Sequence, residues 1–207
     1  MKPLLLLLIG AVGLGCGGTT SRAPVPTTKP VLPLPAQVLG GSKIPVFPLI
    51  NVVVAQGTGW DTLLASRADV RRRVDSILFA IVKQQAPEVI WVNADAVRRA
   101  AEQAPGLLTS PDQLATSQLK IHALSTIPEP LRAQLRQLTG VAAGGRYALI
   151  PAELRFVWDA TNQRASADFT IVLADVRLGA VSWSNTMRGW GATPWDAVAL
   201  AVRIMFP

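Results

Sequence analysis

Cysteine and histidine are almost missing from this chain of 207 residues, which contains one of each. A single cysteine excludes a disulfide framework, a CxxC redox centre and a cysteine-rich zinc site, and a single histidine excludes a multi-histidine metal site. Charged residues are also scarce, at 16% of the chain, compared with about a quarter in average soluble proteins. These shortages argue against most enzyme classes, and we expect no metal and no cofactor.

The N-terminal segment has the pattern of an export signal. Lys2 precedes an apolar run, residues 4–12, and small residues then lead to Cys16, the only cysteine. The run is too short to cross a bilayer core of about 30 Å, so it predicts a signal peptide and not an anchoring helix.

The residues before Cys16 resemble a lipobox, the site at which a lipoprotein signal is cut before a cysteine that becomes diacylated. Gly15 fits the small residue of that pattern, whereas Gly13 stands where leucine is usual. The resemblance implies lipidation of Cys16, and Gly17, which is not aspartate, implies the outer membrane with the body facing the periplasm. The alternative is an ordinary secretory signal with an incidental cysteine.

A proline-rich segment separates Cys16 from the body. Prolines at this density disfavour helix and strand and favour an extended polyproline II linker. The 26 residues from 17 to 42 would reach on the order of 80 Å. We therefore divide the chain into a signal peptide over residues 1–15, an acylated cysteine and tether over 16–42, and one globular domain over 43–207.

Hydrophobic periodicity in the globular domain predicts five strands and four or five helices. The predicted strands span residues 46–54, 89–92, 147–158, 167–176 and 180–187, the last two joined by a tight turn at Leu178 and Gly179. A long helix over residues 67–85, capped by Ser66, should bury Val74, Ile77 and Ile81. The order β-α-β-α-(α)-α-β-β-β-α predicts an α/β (α+β) fold, with a mixed sheet packed by helices.

Two motifs in the later strands resemble a known family. Residues 145–150 are similar to an "ADYLL-G-V" strand, and residues 174–183 keep the Asp175, Gly179 and Trp183 of a "vDv-tGevlW" hairpin. Both motifs resemble the α/β domain of the TolB N-terminal domain, the curli-secretion lipoproteins and the penicillin-binding-protein-activator lipoproteins. The hairpin is too short for the membrane-spanning hairpins of a curli channel.

The chain is basic, with a net charge of +7. Arg71, Arg72 and Arg73 lie opposite the apolar stripe of the long helix and are candidate contacts for anionic lipid or cell-wall polymer. The alternative is a solvated basic face. Nucleic acid is not an expected partner of an exported protein. Trp190, flanked by glycines, is a candidate anchor for a protein partner or for a second copy in a homo-oligomer.

These observations predict a non-catalytic, lipid-anchored envelope protein that acts as a binding or assembly module at the outer membrane. One alternative is an activator of a peptidoglycan synthase, which would need a tether long enough to cross the cell-wall mesh. Another is an envelope hydrolase that uses a carboxylate pair, for which two acids should lie about 5–10 Å apart in one cleft.

Overall fold

The structure, a computed structural model, describes residues 32–121 and 124–207. The signal peptide, Cys16 and most of the predicted tether lie outside the described residues. The chain from Val31 to Pro207 forms one compact unit. No helix in the described ranges is both long enough and apolar enough to cross a membrane.

Six strands and four α-helices make up the described body, so the predicted α/β fold is confirmed. In chain order they are β1 (Lys43–Pro45), β2 (Val52–Val54), α1 (Arg67–Gln85), β3 (Ile90–Val92), α2 (Ala94–Glu102), α3 (Leu131–Ala143), β4 (Tyr147–Asp159), β5 (Arg164–Asp175), β6 (Ala180–Trp190) and α4 (Pro194–Arg203). Short 3-10 helices span Ala36–Leu39, Pro111–Gln113 and Thr116–Lys120.

The strands form two sheets, where the sequence predicted one. The larger sheet has the order β2-β4-β5-β6, with β2 parallel to β4 and the other pairs antiparallel. The strands β1 and β3 pair in parallel as a separate two-stranded sheet. The predicted hairpin is present, and Asp175 pairs with Ala180 at its closed end.

Only the end of the predicted first strand, residues 46–54, is a strand in the structure. β2 covers Val52–Val54, β1 ends at Pro45, and Val46 forms an isolated bridge with Leu149. The side chains of its first half are buried, since Val46, Phe47 and Leu49 are all at most 1% exposed, whereas Val53 in β2 is 42% exposed. The backbone cannot continue one ladder, because Pro48 has no N–H to donate. The N–H of Leu49 donates instead to the side chain of Asp75, at 2.8 Å.

Helix α1 begins where the sequence predicts, and the Ser66 side chain accepts the N–H of Asp69. Of the three side chains expected to be buried, Val74 and Ile81 are buried and Ile77 is not. Ile77 is only partly buried, whereas the neighbouring Leu78 is fully buried. Asp75 is also buried, so a carboxylate lies on the helix face that packs against the body.

The other boundaries differ by a few residues. Helix α3 continues through Gly140 to Ala143, because the left-handed conformation that ends the helix is supplied by Gly144, at φ +65°. Strand β4 ends at Asp159 and β5 begins at Arg164, so both strands extend further toward their connecting turn than predicted. Strand β6 continues to Trp190.

Both sides of the larger sheet are packed. One core cluster includes Phe156 and Phe169 with the buried faces of α1 and α4. The second lies on the other side and includes Leu135 and Leu138 of α3.

The packed body includes the end of the predicted tether. Leu34, Ala36 and Leu39 are buried in the first core cluster. The N–H of Leu34 donates to the carbonyl oxygen of Met205 at 2.7 Å. Burial of these apolar side chains moves the start of the body from residue 43 to about residue 34.

Candidate functional site

A polar cluster centred on Arg98 joins three separate elements. Arg98 lies on α2 and donates to Asp112, in the 3-10 helix Pro111–Gln113, through Nε at 2.9 Å and Nη2 at 2.8 Å. It also donates through Nη1 to Asp95 on its own helix at 2.8 Å. Its Nη2 lies 3.1 Å from Asp75 Oδ2 on α1. We call these four side chains the Arg98 cluster.

Asp75 is the most buried member of the Arg98 cluster, at 8% exposure. Burial raises the pKa of its carboxyl to about 6, although the N–H of Leu49 and the Arg98 guanidinium both favour the charged form. The neighbouring Asp112 carboxylate also raises the pKa of Asp75. The pKa of Arg98 is raised, chiefly by its hydrogen bonds to Asp112.

Three open cavities include Arg98 in their lining, and two of them form a groove between α1 and α2. The more enclosed of these two, of about 190 Å³, is lined by Arg72, Asp75, Ser76, Phe79, Asn93, Ala94, Asp95 and Arg98. A second, of about 310 Å³, includes Arg71 and Arg72 together with Asp95, Arg98 and Asp112. The groove is polar, and its walls carry both signs of charge.

The Arg98 cluster brings two carboxylates to the spacing of an acid pair, because Asp75 and Asp112 contact the same Nη2 atom. The guanidinium that holds them together occupies the space between them. No group of three or more His, Cys, Asp or Glu side chains in the described ranges could hold a metal ion. The arrangement is that of a charged clamp between helices.

The three predicted contact arginines do not form one free basic face. Arg72 pairs with Asp69 one turn earlier on α1. The guanidinium of Arg73 lies 4.4 Å from the ring centre of Trp195 on α4. Arg71 is half-buried at the rim of the groove.

Trp190 is half-buried and not the exposed side chain that its glycine neighbours suggest. Its Nε1 donates to Asp159 Oδ2 at 3.3 Å, and the guanidinium of Arg164 lies 4.5 Å from its ring centre. Arg188 and Asp168 form a bidentate pair, at 2.6 and 2.7 Å, in the same stretch of the β5–β6 ladder. Trp190 therefore belongs to a polar network at the end of the sheet.

Sequence reasoning did not identify Asp75, although its position contains a usable signal. Asp75 precedes Leu78 by three residues and Val82 by seven, so it lies on the same helix face as two fully buried side chains. An acid on an apolar stripe indicates either a wrong helix register or a buried partner. Here the partners are Leu49 and Arg98.

No model of a protein family matches the chain, and no curated protein matches it in sequence. Solved structures that are similar include the LpoB C-terminal domain from Escherichia coli, at 15% identity and a TM-score of 0.43, over 74% of this chain and 85% of that chain. The PelC dodecamer from Paraburkholderia phytofirmans has 16% identity and a TM-score of 0.38, over 86% of this chain and 92% of that chain. Lipoprotein GNA1162 from Neisseria meningitidis has 14% identity and a TM-score of 0.33, over 72% of this chain and 81% of that chain.

These matches include one protein described as a lipoprotein, GNA1162. At these identities and TM-scores the likeness concerns the fold alone, and it assigns no role to any residue of the Arg98 cluster.

Proposed function

We propose that this chain is a lipid-anchored protein of the bacterial envelope that acts without catalysis as a binding or assembly module at the outer membrane, with its body in the periplasm. The observation that carries the proposal is the position of Cys16. The only cysteine of the chain stands directly after the apolar run and the small residues of an export signal.

The Arg98 cluster supports a binding role over a hydrolytic one. A carboxylate pair that hydrolyses a glycosidic bond needs space between its members for the substrate, and in inverting enzymes for a water as well. Asp75 and Asp112 instead share one guanidinium nitrogen. Asp75 also accepts the N–H of Leu49, so both of its oxygens are engaged.

The start of the body favours an assembly role over activation of a peptidoglycan synthase. Because Leu32 already accepts hydrogen bonds from β6, only the 15 residues 17–31 separate the body from Cys16. A fully extended chain spans at most about 3.6 Å per residue, so this segment reaches on the order of 50 Å. The shorter reach suits a partner near the outer membrane better than a synthase beyond the cell wall.

Cell fractionation tests the anchor. The wild-type chain should pellet with outer membranes, and Cys16→Ala should either be released or remain unprocessed. Gly17→Ser, which keeps the cysteine, is the matched control and should still pellet. Membrane retention of a normally cleaved Cys16→Ala protein would contradict the proposal.

Partner capture tests the binding role and separates the alternatives. Cross-linking in intact cells should recover an envelope protein or a second copy of this chain, and recovery of a peptidoglycan synthase would support the activator alternative. Trp190 remains a candidate contact for a protein partner, and Arg71, Arg72 and Arg73 remain candidate contacts for anionic lipid or cell-wall polymer. Digestion of purified cell wall, lost in an Asp75→Asn and Asp112→Asn double variant, would support the hydrolase alternative.

A further inference from the structure

We infer that one end of the body, which we call the basic tip, docks on anionic phospholipid headgroups of the membrane that holds the lipid anchor. The inference rests on the proposed function, because it assumes that the body is held close to a bilayer. The basic tip consists of Arg132, Arg136 and Val141 on α3, Arg146 before β4, and Arg177 and Leu178 at the β5–β6 turn.

The basic tip is one continuous surface because α3 packs on the hairpin turn. A Cβ atom added to Gly179 would clash with the Arg132 side chain, which therefore lies directly across the turn. The N–H of Ile127, shortly before α3, donates to the carbonyl oxygen of Gly179 at 2.8 Å. Arg136 follows one helical turn later and lines an open cavity of about 420 Å³ with Arg132 and Val141.

Apolar side chains project from the basic tip beside the arginines. Leu178 is 65% exposed and Val141 is 53% exposed. An exposed leucine between cationic side chains fits the interface of an anionic bilayer, where the apolar group enters the headgroup region and the arginines contact phosphates.

The turn that carries Leu178 is held in place before any contact with a membrane. Asp175 Oδ1 accepts the N–H groups of both Arg177 and Leu178, at 3.1 and 3.0 Å. Gly179 has a φ of +71°, which allows the tight reversal into β6. Burial opposes ionisation of Asp175, but the Arg146 side chain and the two backbone donors outweigh it and lower its pKa. Little ordering is therefore needed on binding.

The basic tip has an excess of positive charge. Among the described residues Arg132, Arg136 and Arg177 have no carboxylate partner, whereas Arg146 pairs with Asp175. Glu129, which accepts the N–H of Ala133, is the one acid that lines the adjacent cavity. The arginines of α1 differ, because Arg72 is paired and Arg73 lies against Trp195.

Leu32, the first described residue, contacts the part of β6 that follows the turn. The carbonyl oxygen of Leu32 accepts from Trp183 Nε1 at 2.9 Å and from Asn185 Nδ2 at 3.2 Å. Both donors lie within five residues of Ala180, where β6 leaves the turn, so they are about 10–17 Å from it along the strand. An anchor attached through residues 17–31 therefore keeps the basic tip within reach of the membrane surface.

Co-sedimentation of the unacylated chain from Gly17 to Pro207 with vesicles tests the inference. We expect binding to phosphatidylcholine vesicles that contain phosphatidylglycerol, little binding to phosphatidylcholine alone, and loss of binding as salt rises from about 0.1 to about 1 M. One arginine near an anionic surface strengthens binding about fivefold, so Arg132→Gln, Arg136→Gln and Arg177→Gln together should weaken it about 100-fold.

Matched variants keep the test specific. Arg71→Gln, Arg72→Gln and Arg73→Gln together remove the same charge from α1 and should weaken binding less than tenfold. Leu178→Ser should weaken binding, whereas Leu107→Ser, at a residue that is 80% exposed elsewhere, should not. If loss of Arg132 disturbs the hairpin, the Arg136→Gln and Arg177→Gln pair still tests the surface, and Arg132→Lys should retain binding.

Equal binding to both vesicle types, unchanged binding of the tip variants, or a larger loss in the α1 variants would overturn the inference. These outcomes leave acylation of Cys16 untouched, because the tested chain lacks the cysteine. Conversely, a chain that is never acylated in cells would refute the proposed function even if its basic tip bound vesicles.

Discussion

Replacing Asp75 by asparagine removes a charge that the fold buries. The oxygen of the new amide can still accept the N–H of Leu49, while Arg98 keeps its bonds to Asp112 and Asp95. The pKa of Asp75 is about 6 in the folded chain, against a usual value of 3.8. The folded state therefore holds this proton more tightly than the unfolded state.

The sign of the pH dependence follows from proton linkage. Between pH 3.8 and 6 the folded chain binds more protons at Asp75, so this group lowers the free energy of unfolding as the pH rises. About two pKa units correspond to about 3 kcal/mol at most. Above about pH 7 the asparagine variant should recover much of that amount, less the lost contact with Arg98.

Urea unfolding of the chain from Gly17, measured from pH 4 to pH 8 in wild type and in Asp75→Asn, isolates the effect. The difference between their unfolding free energies should shift in favour of the variant as the pH rises from about 4 through about 6. Asp75→Ala, which leaves the N–H of Leu49 without an acceptor, should be less stable than Asp75→Asn by about 1–3 kcal/mol. A difference between wild type and Asp75→Asn that is constant with pH would refute the reasoning.

Further variants test the packing and the charged clamp. Leu78→Asp should cost at least about 3 kcal/mol of unfolding free energy and Ile77→Asp clearly less, because Leu78 is fully buried and Ile77 is only partly buried. Equal losses of stability in urea unfolding would contradict the assigned face of α1. Gly189→Ala should lower the free energy of unfolding by about 1–3 kcal/mol, because its Cβ would clash with the α4 backbone. Gly140→Ala, with open space around it in α3, should raise the free energy of unfolding by about 0.5–1 kcal/mol. The two melting temperatures should therefore move in opposite directions. Arg98→Met should destabilise the chain more at pH 8 than at pH 5, because it leaves Asp75 buried without its cation; a pH-independent loss would count against the clamp.

The local features of the fold were predictable because they depend on neighbouring residues. Ser66 and Thr193 each accept the N–H three residues later at a helix start, as their positions before apolar stripes indicate. The turn at Gly179 was predictable from the strands on either side. Where the predicted first strand is interrupted, the N–H of Leu49 donates to Asp75, a partner 26 residues away.

The charged and aromatic contacts were less predictable because their partners are distant in sequence. Arg73 meets Trp195 from the last helix, and Trp190 meets Asp159 across two strands. Helix geometry placed Arg72 toward solvent but could not show that Asp69 neutralises it. The basic tip combines α3 with a hairpin turn, and only the packed fold shows that these two segments share a surface.

The mass of the mature N-terminus tests the central claim most directly. The chain purified from membranes in detergent should begin at Cys16 and carry the added mass of a diacylated cysteine, and Cys16→Ser should carry none. A mature chain that begins elsewhere, or an unmodified Cys16 in membrane-bound wild type, would contradict the account of a lipid-anchored envelope protein.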